Sequence, residues 1–246
     1  LAHSFPTRPS SDLVASLSDA ARSEGDDDVR EVPADGEAEE QAEAEEQEAP
    51  EDPNAIRIGR LVYGPNKKAK CSSPRFLKLA EYDGTVTVSK KFQDVRADSE
   101  DLFGYPMVIM SGDGEFALSA AQRDNLRAYL ERGGFILASA GCSDKQWAAS
   151  FRTELEKLLP DEQFDPLELE HPLFHTLYDI ESIRTVRPAE HPILGLHLDK
   201  RLAIVYSPLG LNDSGAMGAD CCCCGANEVR NARYINANIM LYVLTH

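Results

Sequence analysis

The sequence predicts an α/β fold built on a doubly wound parallel sheet, and three observations carry that prediction. Short apolar runs of strand length end in glycine-containing loops, and amphipathic stretches of helical period follow them. Gly133-Gly134 then separates one such stretch from the next apolar run, so strand, loop, helix and strand recur in the order of βαβ units.

The elements follow in order after Pro53. Ile56, Ile58, Leu61 and Val62 make 56–64 the first strand, closed by Gly64-Pro65. Residues 73–82 read as a short helix with Ser73 as cap and Pro74 at the first helical position. The alternation in 84–89 predicts a strand, and 98–103 a helical turn capped by Asp98. "YPMVIMSGDG" (105–114) is a compact apolar run suited to a strand buried on both faces. The clearest helix is 118–134: Ser119 caps it, Gln122 completes a capping box, and Ala121, Leu126, Tyr129 and Leu130 form its apolar stripe. A second buried strand at 135–142 leads to a helix at 145–160 that Pro160 ends. Beyond a connecting stretch rich in His and Pro, 201–208 adds a strand and 228–245 a final helix docked on the sheet. Residues 55–246 thus form a single α/β domain, large enough to bury most of its apolar surface.

The formal charge of -17 belongs elsewhere. From Glu24 to Asp52 there are fifteen acidic residues against Arg30, whereas acids and bases nearly balance after Pro53. With almost no large apolar side chains to offset the entropy of ordering, residues 1–54 are expected to be a disordered acidic segment, a solvated spacer. Acidic residues repel phosphate and the remainder carries no basic stripe, so nucleic-acid binding is not expected. No apolar run approaches the length of about 18 residues that a membrane span requires. "SFPTRPSSDL" (4–13) resembles a translated sequencing adaptor, and the chain begins at Leu1 rather than Met. The expectation is that 1–13 is artefactual and that the true start, with any targeting signal, is missing.

Several segments together resemble the bacterial domain of unknown function 4159 family. They are "RIGRLVYG", "LFGYPMVIMSGDGEFALS", "LRAYLERGGFILA", "SFRTELEKLLPD", "HPLFHTLYDI", "RLAIVYSP" and the closing "CGANE" to "NANIMLYVLT". The resemblance implies a three-layer, flavodoxin-like sheet akin to class I glutamine amidotransferases and ThuA-like domains. It implies no established activity. It implies export to the periplasm or cell envelope, with a cytoplasmic location as the alternative.

Cys142 is the first candidate for chemistry. It stands at a strand end just before a helix, where ligands of parallel sheets bind and where a helix N-terminus lowers a thiol pKa. A glutamine amidotransferase places its nucleophile in a Gly-x-Cys-x-Gly turn and pairs it with a His that is followed two positions later by Glu. Here positions 140 and 144 are Ala and Asp, and His197, with Asp199 two positions on, comes nearest to the second pattern. Glutamine hydrolysis is therefore not expected. Cys142 with His171 or His175 as base remains a conceivable pair, against the reading of Cys142 as a small packed thiol.

The row Cys221, Cys222, Cys223 and Cys224 offers soft ligands for zinc or iron, with Cys142 or His175 completing a tetrahedral site. Adjacent side chains point apart and only Cys221/Cys224 has the usual spacing. Disulfides among Cys71, Cys142 and the row compete with metal. His171-Pro172 and His191-Pro192 read as loop organisers. "SGDGEF" (111–116) could cup an anion with its amides or use Asp113 and Glu115 on a metal or sugar hydroxyl, but it lacks the residues of a P-loop.

Two readings follow. One is an envelope domain that binds a small molecule or a partner protein, with an amidotransferase-like fold and without the hydrolytic triad. The other is a thiol- or metal-dependent hydrolase using Cys142, His175 and the loop of Cys221 to Cys224.

Overall fold

The computed structural model describes residues 52–69, 72–83, 86–212 and 228–246. The acidic segment up to residue 51, Cys71 and the row Cys221 to Cys224 lie outside the described residues.

The apolar runs become the inner strands of one seven-stranded sheet. β3 (Met107–Gly112) and β4 (Phe135–Ala140) pair in parallel along their whole length, from Met107 opposite Phe135 to Gly112 opposite Ala140. β1 (Ile58–Val62) flanks β3, and β7 (Arg201–Ser207) flanks β4, again in parallel. β2 (Gln93–Arg96), β5 (Phe164–Pro166) and β6 (Leu194–Leu198) complete the order β2-β1-β3-β4-β7-β6-β5. β6 is antiparallel to both β7 and β5, so among the described strands six run one way and β6 alone is reversed.

Helices cover both faces, giving the three-layer α/β architecture expected of such a sheet. α2 (Ala120–Glu131) and α3 (Lys145–Leu158) bury Leu126, Tyr129, Trp147, Phe151 and Leu155 against one face. α1 (Arg75–Asp83) and α4 (Ala232–Thr245) bury Phe76, Leu77, Ile235, Ile239 and Met240 against the other. The caps follow from the sequence. Ser119 and Gln122 form the reciprocal capping box of α2, Asp144 accepts the Trp147 N–H at 2.7 Å to start α3, and Ser73 Oγ accepts the Arg75 N–H at 3.2 Å at α1. Gly133, at φ +101°, turns the chain out of α2 through backbone space that L side chains rarely adopt.

Four expectations are corrected. Of the strand expected at 84–89, residues 84 and 85 lie outside the described residues and the remainder forms one bridge, Val88 to Ile56; the edge strand is β2. Only Val95 of β2 is buried; Asp94 and Arg96 are exposed, and Asp94 accepts from Arg60 at 2.6 Å. Ser99, not Asp98, caps the 3₁₀ turn Glu100–Gly104, because Asp98 is held by Arg96. The stretch read as a connection contains β5 and β6. His197, placed ahead of a strand by the sequence, lies on β6 itself.

Candidate functional site

The carboxyl ends of the parallel strands gather an interior polar cluster. Ser111 of β3, Ser139 of β4 and Ser207 of β7 occupy matched positions across three neighbouring strands, and all three are buried. In-register parallel strands point such residues to one face, here the face covered by α1 and α4. Asn212, from the loop after β7, reaches back over the row. Its Oδ1 accepts from Ser111 Oγ at 2.9 Å and from Ser139 Oγ at 2.7 Å. The Ser207 hydroxyl instead accepts the Leu209 and Gly210 N–H groups and shapes that same loop.

Both helices of this face contribute. The Asn212 carbonyl accepts the Ser73 N–H at 3.1 Å, which brings the amino end of α1 to the cluster. Asn236 of α4 donates to the Leu211 carbonyl at 2.6 Å. Among the described residues its buried Oδ1 and the buried hydroxyl of Ser72 have no hydrogen-bond partner. Buried polar atoms of this kind normally find protein, water or ligand partners. The cluster therefore retains unused capacity to accept hydrogen bonds at the end of the sheet where ligands of α/β proteins bind.

On the opposite face the same end is locked. Trp147 Nε1 donates to the Tyr63 hydroxyl at 2.6 Å, and that hydroxyl donates to the Ser111 carbonyl at 3.0 Å. Burial pushes the Tyr63 hydroxyl well above its ordinary range, so it keeps the proton it donates. A Cβ on Gly112 would lie 2.5 Å from the Tyr63 hydroxyl oxygen, which explains the glycine there. Gln122 extends the lock: its Oε1 accepts the Gly64 N–H at 3.1 Å, fixing the turn after β1 to the first turn of α2.

Cys142 stands where the sequence placed it, in the short turn Gly141–Ser143 between β4 and α3. Cys142 and Ser143 both have positive φ, 51° and 55°, and the Ser143 hydroxyl donates to the Leu209 carbonyl. The Cys142 sulfur is disulfide-bonded, and every other cysteine of the chain lies outside the described residues. In that state it carries no thiolate, so attack or ligation by Cys142 belongs to the reduced protein.

The histidines sit in a different setting. His171 caps the 3₁₀ turn Pro172–His175, its Nδ1 accepting the Leu173 N–H at 3.1 Å. Partial burial, then the neighbouring His197 and His246, hold its pKa below the usual imidazole value. His175 closes the same turn. Its Nδ1 meets Asp179 and its Nε2 meets the Leu169 carbonyl at 2.7 Å, contacts that raise its pKa. Both ring nitrogens thus serve the local loop, and no hydrogen bond joins His175 to Cys142. Among the described residues there is no group of three His, Cys, Asp or Glu able to hold a metal; the row Cys221 to Cys224 lies outside them. Of "SGDGEF", the Gly114 N–H is already taken by Asp144 at 3.1 Å and the Phe116 N–H by Ser150 at 3.2 Å, leaving fewer amides to cup an anion.

Sequence reasoning found the strand end at Cys142 but missed Ser72, the serine row, Asn212 and Asn236. A signal for the row is present, since "VIMS", "ILAS" and "IVYS" each end an apolar run in serine.

Among the described residues no helix is long and apolar enough to cross a membrane. A family model described as Domain of unknown function (DUF4159) matches residues 57–244. No curated protein matches the chain.

Proposed function

The chain belongs to the DUF4159 family, and from that premise we propose that it is a ligand-binding or scaffolding domain of the cell envelope, amidotransferase-like in fold and without the glutamine-hydrolysis triad. The observation that supports the binding role is the buried cluster of Ser111, Ser139 and Asn212, beside atoms of Ser72 and Asn236 that have no partner among the described residues. Neutral hydroxyl and amide groups at the carboxyl ends of strands are suited to orient a small ligand. The location rests on the resemblance to exported family members, and fractionation of cells carrying the complete gene tests it.

The experiment has two arms. Glutamine is incubated with the purified chain and ammonia is followed beside the Cys142→Ser variant. The expected result is equal background in both, and ammonia release that the substitution abolishes would overturn the reading. In the second arm a panel of sugars, amino acids and dicarboxylates is screened by protein NMR. Binding supports the reading where the shifts map to Ser111, Ser139 and Asn212, and a panel without binders there removes the small-molecule role.

The thiol- or metal-dependent hydrolase reading requires reduced Cys142, a freed His175, and zinc or iron on Cys221 to Cys224. Elemental mass spectrometry of protein purified reduced and without added metal tests it. Metal that is lost when the four cysteines become serine would favour this alternative.

A further inference from the structure

The open clefts lie at the other end of the sheet. One, of about 720 Å³, sits at the amino ends of β1, β2 and β3 against the last turn of α4. A second, of about 550 Å³, adjoins it and shares Arg57 and Gly104. Both are of the size that small-molecule sites occupy.

Arg57 is the feature that distinguishes this place. Its guanidinium lies over the Tyr105 ring, 5.3 Å from the centroid, and the Tyr105 hydroxyl is itself fixed by Gln93 Oε1 at 3.1 Å. Among the described residues no carboxylate lies within ion-pairing distance of Arg57. Three of the acids around the clefts have other partners, Asp94 with Arg60 and Lys68, Asp101 with Ser99, and Asp52 with the Asn54 N–H, while Glu100 also lines the smaller cleft. Gly104 borders the guanidinium: a Cβ there would stand 3.6 Å from an Arg57 terminal nitrogen, in ordinary van der Waals contact. The larger cleft adds an apolar wall of Pro53, Ala55, Ile56, Pro106 and Leu244. A planar cation pre-positioned on an aromatic ring, with no acceptor for its donors among the described residues and an apolar wall beside it, matches a carboxylate on an apolar body.

We infer that this cleft is a second binding site, separate from the carboxyl-end cluster, which takes a small organic carboxylate through Arg57. The carboxylate would accept paired N–H bonds from the guanidinium while its apolar body lies along Ile56 and Pro106. Neither step depends on the role proposed for the carboxyl end.

The test uses the full chain with benzoate as probe and benzamide as its uncharged counterpart, followed by NMR at the Arg57 side chain and the Gly104 amide. Benzoate is expected to give saturable shifts at both, and benzamide none. Arg57→Gln should weaken benzoate about tenfold or more, the usual scale of a lost charge-assisted hydrogen bond, and Arg57→Lys should fall between the two because it keeps charge without the fork. Arg57 is exposed, so both variants should keep the native spectrum elsewhere. Equal shifts with benzamide, unchanged affinity in Arg57→Gln, or benzoate shifts centred on Asn212 would each overturn the assignment.

Discussion

Replacing Tyr63 by Phe removes one oxygen from a place closed to solvent. Tyr63 and Trp147 are both fully buried. The substitution takes the acceptor from Trp147 Nε1 and the donor from the Ser111 carbonyl, and leaves the rings in place. The satisfied bonds contribute about 1 kcal/mol each, and an orphaned buried donor costs about 1–3 kcal/mol, so Tyr63→Phe should destabilise the domain by about 2–4 kcal/mol. For a domain of this size that corresponds to a fall in Tm of about 5–15 °C. Urea unfolding followed by circular dichroism measures it, with Trp147→Phe and the double variant completing a cycle. The double variant removes donor and acceptor together and should cost less than the sum of the singles by about 1 kcal/mol or more. A Tyr63→Phe protein within about 0.5 kcal/mol of the parent, or a strictly additive cycle, would refute the account of this lock.

Three further outcomes are expected. Glu154 is buried, which works to raise its pKa, but Lys157 at 2.7 Å and Arg123 at 2.8 Å outweigh burial and hold it below the ordinary carboxylate range. Its contribution is therefore complete above the unfolded carboxyl value of about 4.3 and disappears as pH falls through the lower folded value; Glu154→Gln should cost about 1–2 kcal/mol at neutral pH and progressively less in acid, read by urea unfolding across pH. Gln122→Ala loses both the capping box and the tie to Gly64 and should lower stability by about 1–2 kcal/mol, with faster amide exchange in the turn after β1. Asn212→Ala strips Ser111 and Ser139 of their shared acceptor and should cost about 1–3 kcal/mol in thermal unfolding, while the α2 and α3 amides keep their shifts.

The parts that sequence made legible are those whose signal is local. β3, β4 and β7 are unbroken apolar runs buried on both faces, and the capping box of α2 is written in Ser119 and Gln122. β2 escaped because it buries one apolar side chain and spends its charges on Arg60 and Lys68. The β6–β7 hairpin escaped because Asp199 and Lys200 both take positive φ without a glycine to mark the turn. The site divides the same way. The position of Cys142 at a strand end could be read from its neighbours. The serine row is a cluster only once three strands are aligned, and Asn212 and Asn236 join it through bonds between distant parts of the chain, for which sequence spacing carries no signal.

The place of β7 in the sheet also bears on how the protein is made. Among the described strands β7 is made after the other six, yet it lies inside the sheet, between β4 and β6. Until it emerges, the growing chain holds β4 with its outer backbone edge unpaired, and β5 and β6 have no neighbour to join them to the rest. Contacts so remote in sequence slow folding and prolong the exposure of an aggregation-prone edge. Nascent chains that stop short of Arg201 should therefore call on chaperones, and release from them should coincide with synthesis of the residues from Arg201 to Ser207.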